Sequence, residues 1–326
     1  MPATQRHRLD LRPSTLDDAA MVADFDSTFD RQDPRDPDAL RFWWARADAN
    51  QMTMRLVAER DGRAIAFVGA GHDRWEENPN RFCWLQPRLH HEIWSESSFS
   101  DLVDAAESWL RAEGGAIAVT RVREDFRKEH DALQRVGYSE VRRQNMSELD
   151  LVSGREGLLE TARAQRQVMR DQGVTMLTLD QDDDPECLRK LYEMAIAAEK
   201  DIPTTMPWRT ESFEEWGQSW FENPSIRKDR FWIAREGSSI VGMSVLTFPV
   251  TRGLPWTSFT ATSSEVRRRG IARALKYESV AQAASLGYEK VRTMNDGANA
   301  PILHINREMG YALVVPMIEM HRELTL

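Results

Sequence analysis

Thr260-Ala-Thr-Ser-Ser-Glu-Val-Arg-Arg-Arg-Gly-Ile-Ala-Arg-Ala-Leu-Lys276 reads as the end of an alternating strand, a polar turn, and a helix opening at Gly270. Backbone N–H groups from about Arg268 through Ile271 to Ala272 would point outward at that helix start. No intrahelical acceptor exists for them there, and the helix dipole favours negative charge. Gly270 and Ala272 keep side chains out of the way, so that a pyrophosphate could approach the backbone. Arg267, Arg268 and Arg269 add positive charge locally to a chain whose net charge is −9. The GKS or GKT ending of a phosphate-binding P-loop and the three-glycine spacing of a dinucleotide fold are both absent. Taken alone, a basic turn before a helix is also what a solvated helix cap looks like.

A second tract follows at Thr293-Met-Asn-Asp-Gly-Ala-Asn-Ala-Pro-Ile-Leu-His-Ile-Asn-Arg-Glu-Met-Gly-Tyr311, a strand and then a helix stopped by Gly310. Asn299, Leu303 and Asn306 share one face of that helix, while His304 points elsewhere. Asn299 suits an N-cap as well as a ligand-facing role. Asn306 sits mid-helix, where asparagine has poor propensity and a packing or ligand contact is needed to explain it.

Outward from these tracts the chain repeats itself. The first half predicts a short strand over 8–13, a capped helix over 14–29 and a second helix over 37–49. A hairpin over 53–71, turned at Asp61-Gly62, precedes a strand over 82–85, and a helix over 100–112 and a strand over 116–122 follow. A helix over 126–136 and a strand over 141–151 complete the half. After a charged helical segment at 157–172, the same order begins again at Val174 and runs to Leu324. Two copies of one α/β unit, about 165 residues apart, account for a length of 326 residues. The boundaries read as 1–152 for the first domain, 153–173 for a helical linker and 174–326 for the second domain.

The Arg-x-x-Gly-x-Ala pattern after a strand, the closing strand–helix unit and the β–α order of residues 174–324 together resemble the GNAT superfamily of acyl-CoA N-acyltransferases. The resemblance implies an α/β fold of two tandem GNAT-type domains, each a mixed, mostly antiparallel central sheet flanked by helices. It implies a splayed strand pair around Thr257–Thr262 and Val291–Asn295, with the thioester of acetyl-CoA between them. The backbone near Thr260 and Thr262 would hold the pantetheine arm as an added strand, and an N–H near Thr262 would polarise the carbonyl. The Arg267–Ala272 loop would take the pyrophosphate, with Asn299 and Asn306 beside the donor. Many relatives carry a tyrosine four residues before the helix-ending glycine, where it protonates the leaving thiolate. Here that residue is Asn306, which has no titratable proton to give, so that another group or water does that work or the thiolate departs unassisted; Tyr311 is near in sequence. The equivalent of the loop in the first half, Trp84-Leu-Gln-Pro-Arg-Leu-His-His-Glu-Ile-Trp94, lacks the motif, so that copy reads as degenerate. This tandem layout is shared with mycothiol synthase and related acyltransferases and identifies no acceptor.

Acyl transfer to an amine needs a base, and the predicted strand over 256–263 offers no carboxylate. Glu199 and Asp201, at the end of a helix and the start of the loop that covers the acceptor side, are the candidates, against the alternative of a solvated helix end. Glu319 and His321 stand in reserve. Trp208, Phe213, Trp216, Trp220 and Phe221 suit either core or an apolar acceptor wall. The expectation is an acetyl-CoA-dependent N-acetyltransferase acting on a primary amine, with a non-catalytic acyl-CoA sensor and acetylation of a cysteinyl sugar as alternatives. No metal is expected, because Cys83 and Cys187 have no ligand spacing and the adjacent His90 and His91 do not converge on one ion. The acidic balance argues against nucleic acid as partner. The absence of a long apolar run argues against a membrane span, and a cytoplasmic, monomeric protein is expected.

Overall fold

A computed structural model describes residues 9–206 and 209–324. The first half runs β1 (Arg12–Pro13), α1 (Ala19–Asp26), α2 (Pro37–Asn50), β2 (Met52–Arg60), β3 (Arg63–His72), β4 (Phe82–Leu89), α3 (Glu96–Ala112), β5 (Ile117–Arg123), α4 (Arg127–Arg135) and β6 (Ser139–Asp150). The connecting helix α5 (Arg155–Asp171) leads to β7 (Val174–Thr178), α6 (Cys187–Glu199), α7 (Phe213–Phe221), β8 (Phe231–Glu236), β9 (Ser239–Thr247) and β10 (Trp256–Thr262). The chain ends with α8 (Ile271–Ser285), β11 (Lys290–Asp296), α9 (Ala300–Met309) and β12 (Ala312–Glu323). The predicted order recurs in both halves.

The first helix is shorter than the sequence pattern suggests. Thr15, rather than Ser14, caps a 3-10 turn at Leu16–Asp18, which passes into α1. The Ser27 N–H and hydroxyl both donate to the Ala23 carbonyl, and the Thr28 N–H and hydroxyl both donate to that of Phe25, an i→i−3 bond that tightens the last turn where the helix stops. The expected first strand shrinks to Arg12–Pro13 against Val57 and Leu56, and Arg8 lies outside the described residues.

The described strands form one sheet in the order β1-β2-β3-β4-β5-β12-β6-β11-β10-β9-β8-β7. All pairings are antiparallel except β4 with β5 and β10 with β11. The order records an exchange. The last strand of each half crosses over, so that β12 pairs with β5 and β6 pairs with β11, while β6 and β12 pair with each other at the centre. Apolar burial follows it: Ile318, Met320 and Leu324 pack into the core of the first half, and Leu149 and Leu151 pack with Val280, Val291 and Tyr311 in the second. A continuous sheet of this kind joins the halves through backbone hydrogen bonds and shared cores rather than through a flexible linker.

Polar contacts across the same seam are buried. Arg292, 1% exposed, donates to Glu148 at 2.9 Å, to Asp30 at 2.6 Å and to Asp33 at 3.5 Å. Asp36 accepts from the backbone N–H groups of Asp38 and Ala39 at the start of α2, and also from those of Val250, Thr251 and Arg252. Burial opposes its charge, but these bonds outweigh burial and hold its pKa below the ordinary value. Removing the cation from the first of these networks leaves three carboxylates facing one another. Arg292→Met is therefore expected to cost roughly 3–5 kcal/mol in urea unfolding. A loss under about 1 kcal/mol would mean that the network is not a structural tie.

Candidate active site

β10 and β11 pair only at Trp256 with Arg292 and Thr257 with Thr293. Beyond that point β10 stays with β9 as far as Thr262, and β11 stays with β6 as far as Asp296. Each strand follows its other neighbour, and the parallel pair opens into a V. The register of β10 shifts between Thr257 and Phe259, which leaves Ser258 without a partner in β9. A cleft of about 1410 Å³ fills the V, from the start of α8 on one side of the sheet to the Glu199–Met206 segment on the other.

The first half builds the same V and fills it. β4 and β5 pair only at Phe82–Trp84 with Ile117–Val119, and the space beyond is occupied by Phe29, Arg88, Phe99 and Phe126. The cavity left there is about 10 Å³, room for about one water. The helix starts differ in the same sense. Ser95 caps α3 by accepting from the Ser98 N–H, and Glu96 occupies the first turn, so both anion-attracting features are already used. At α8 the cap is Gly270, with φ +85°, no side-chain cap bond and no acidic residue in the first turn. Arg268 also adopts a left-handed backbone, φ +64°. Buried Val266 and Ile271 pin the two ends of this loop in the core.

Of the residues expected at the donor loop and as base, all but Asn306 line the open cleft: Thr260, Thr262, Arg267, Arg268, Arg269, Gly270, Ile271, Ala272 and Asn299 toward the loop, Glu199 and Asp201 across the sheet, while the reserve candidates Glu319 and His321 do not. The three arginines differ. Arg267 is paired with Asp201, and Arg269 with Glu236 at 3.0 Å and the Gln172 carbonyl at 3.2 Å. Arg268 has no ion-pair partner among the described residues, which leaves it available to a ligand. Asn299 caps α9, accepting from the Ile302 N–H at 3.5 Å. Asn306 departs from its expected place beside the donor: it is 4% exposed behind the cleft wall, and its amide donates to Asn295 Oδ1 at 2.7 Å.

Glu199 is half-buried at the end of α6. Burial, with the charge of Glu211 added, pushes its carboxyl up to about 7. Asp201 is exposed and neutralised by Arg267, so Asp201→Asn is expected to change turnover by less than about threefold, checked by steady-state rates. Glu319 is fully buried. Burial opposes its charge, but bonds from His321, Thr205 and Arg121 outweigh burial and hold it at about 2. It is ionised at all working pH and serves as an anchor for the Thr205 segment rather than as a base. Phe213, Trp216, Trp220 and Phe221 pack with Tyr192 and Phe231 in the core and do not line the cleft. Trp208 lies outside the described residues.

Sequence reading missed the contribution of the first half. Arg142 and Gln144 line the cleft because strand exchange places β6 beside β11, and Arg121 of β5 lines it from the far side of β12. Arg142 pairs with Asp296 and donates to the Pro203 carbonyl at 2.9 Å, tying the covering loop to β11. No local pattern announces this, since it depends on which strands are neighbours. Lys276 was also passed over, although it stands one turn before Val280 on the apolar face that Val280, Ala283 and Ala284 continue. A lysine there was the available signal. Among the described residues no group of three or more His, Cys, Asp or Glu is placed to hold a metal ion, and no helix is long and apolar enough to cross a membrane.

Residues 167–311 match the family described as acetyltransferase (GNAT) family. The fold is similar to that of a GCN5-related N-acetyltransferase from Sphaerobacter thermophilus, at 18% identity and a TM-score of 0.68, with 99% of this chain and 98% of that one covered. It is also similar to a tandem GNAT protein from the clavulanic acid biosynthesis pathway, at 13% identity and a TM-score of 0.74, with 98% and 99% covered. A glucosamine N-acetyltransferase region of a fungal multi-domain β-N-acetylglucosaminidase aligns with 99% of this chain and 38% of its own, at 14% identity and a TM-score of 0.68. No curated protein matches the sequence.

Proposed function

We propose, from the premise that residues 167–311 are a GNAT acetyltransferase domain in a chain with the tandem GNAT fold, that the protein transfers an acetyl group from acetyl-CoA to a primary amine. Acyl transfer is the chemistry of that family; the acetyl donor and the amine acceptor are the finer reading. The observation that carries it is the contrast between the two V-shaped openings: one is open and ends at an uncapped, Gly270-led helix, the other is filled and ends at a helix already capped by Ser95.

In this reading the donor's pyrophosphate sits on the N–H groups of Ile271 and Ala272 with Arg268 beside it, and the pantetheine arm runs back along β10 toward Ser258. The acceptor enters from the Glu199–Met206 side. An amine arrives as ammonium, a form attracted by Glu199 and its neighbour Glu211; Glu199 takes its first proton and passes it to water, and the ionised carboxylate then takes the second proton, which the nitrogen loses on attack. The catalytic domain is 174–326, and the 1–152 copy shapes the acceptor wall through Arg121, Arg142 and Gln144, so one chain holds a whole site. Thiol release from acetyl-CoA across a panel of amines, including polyamines, amino sugars and peptide N-termini, tests the proposal. Amine-dependent thiol release is expected. Tight acetyl-CoA binding with no release for any amine would overturn it in favour of a sensor.

A further inference from the structure

The floor of the open cleft holds polar atoms that nothing in the protein satisfies. Lys276 Nζ, on α8, is fully buried and has no hydrogen-bond partner among the described residues, although the residue lines the cleft. Its ammonium lies 4.7 Å from the centre of the Tyr311 ring, an arrangement that favours the charged form. The Tyr311 hydroxyl and the Thr257 hydroxyl, adjacent to each other at the vertex of the V, are likewise buried and without a partner in hydrogen-bond geometry. An isolated buried amine is costly, and a site that keeps one has a use for it.

Its level in the cleft is informative. Lys276 lies six residues, roughly 9 Å, along α8 from Gly270. Three residues back along β10 from Thr260, also roughly 10 Å, comes Thr257. A donor anchored by its pyrophosphate at Gly270 and stretched along β10 would bring its sulfur to that depth. Neighbouring charges are already committed. Arg166 of α5 pairs with Glu278, Arg273 pairs with Glu308 of α9, and Arg292 of β11 is held by its three carboxylates. From β9 and β10 the polar groups that face α8 are Ser244 and Thr260, which are bonded together with Ser279.

We infer that Lys276 is the proton donor to the departing thiolate, the role left empty by Asn306. This rests on the acyl-transfer reading above. As the C–N bond forms, the amine proton passes to Glu199. The tetrahedral intermediate then collapses, the C–S bond breaks with its electron pair on sulfur, and the sulfur takes a proton from the Lys276 ammonium. After the products leave, protonated Glu199 gives its proton to water and neutral Lys276 regains one from water, so that both groups are reset. The four-carbon stem lets the ammonium turn from beneath the floor to its surface, and burial, which lowers its pKa to about 7, makes the proton transferable.

The test uses the full chain with acetyl-CoA and hydroxylamine, a small amine already neutral near pH 7, and reads thiol release above the uncatalysed background. In the wild type the rate is expected to fall as pH rises above about 7, the basic limb of the profile, because the donor loses its proton. In Lys276→Met this basic limb disappears and kcat drops about 100-fold, while the calorimetric affinity for acetyl-CoA stays within about threefold. A lysine that only filled space would leave the limb in place when replaced. Survival of the limb in Lys276→Met, or a kcat within about threefold of wild type, overturns the inference. Absence of the limb in the wild type overturns it even if the variant does not fold. If the wild type releases no thiol above background, the acyl-transfer reading itself fails and takes this one with it.

Discussion

Gly270→Glu is expected to abolish acetyl-CoA binding in calorimetric titration, weakening it by at least about 100-fold, and Gly270→Ala to weaken it by less than about tenfold. Two effects separate the variants. Both place a side chain where φ is +85°, a conformation that costs an L-residue on the order of 1–2 kcal/mol. The Cβ itself meets nothing closer than 3.8 Å, from Arg273 and Met169, so alanine adds strain without a collision. Glutamate adds a carboxylate at the one place where the helix offers unsatisfied N–H groups and a positive dipole end. It becomes an intramolecular occupant of the anion site and repels the pyrophosphate that should be there. The first half supplies the natural precedent, because Ser95 and Glu96 close α3 in just this way. Equal loss of binding in both variants would assign the effect to loop strain. Unchanged binding in Gly270→Glu would remove the start of α8 from the donor site.

Those two helix starts also show what was legible in the sequence and what was not. The strand–turn–helix of 260–276 is local: alternation, a run of arginines and a glycine at the cap fix its geometry from neighbours a few residues apart, and the structure has it as read. The duplication, and with it the mixed sheet flanked by helices, was legible because hairpin turns at Asp61-Gly62 and Glu236-Gly237 recur in the same order of elements. The exchange of β6 and β12 was not. Either strand alternates well enough to pair in its own half, and only the burial of Ile318, Met320 and Leu149 in the opposite cores selects the crossed arrangement. That choice carries Arg121, Arg142 and Gln144 into the cleft, so the part of the cleft built by the first half had no sequence signature. Asn306 differs. A mid-helix asparagine signals a packing or ligand contact, and the partner its amide has is Asn295 on the adjacent strand.

Glu199→Gln is expected to lower kcat for an ammonium-bearing acceptor by about 100-fold or more, with acetyl-CoA affinity unchanged, and to remove the acidic limb of the pH profile. The direction follows from the carboxyl being pushed up to about 7: the base form accumulates as pH rises through that value, so wild-type turnover should climb there. With Lys276 required in its protonated form, the two limbs make a bell centred near 7 for such acceptors. Stability moves the other way. The fold holds a proton on Glu199 that the unfolded chain releases near the ordinary 4.5, so its ionisation costs stability, a cost that grows between 4.5 and about 7 and is fully present above. Glutamine has nothing to ionise. Glu199→Gln should therefore raise the melting temperature at pH 8 and leave it nearly unchanged at pH 4, even as turnover falls. A residue that served only as a solvated helix end would show neither effect. Loss of activity together with loss of stability would point to a damaged fold, whereas a more stable and less active variant is what a base kept at a cost to the fold must give.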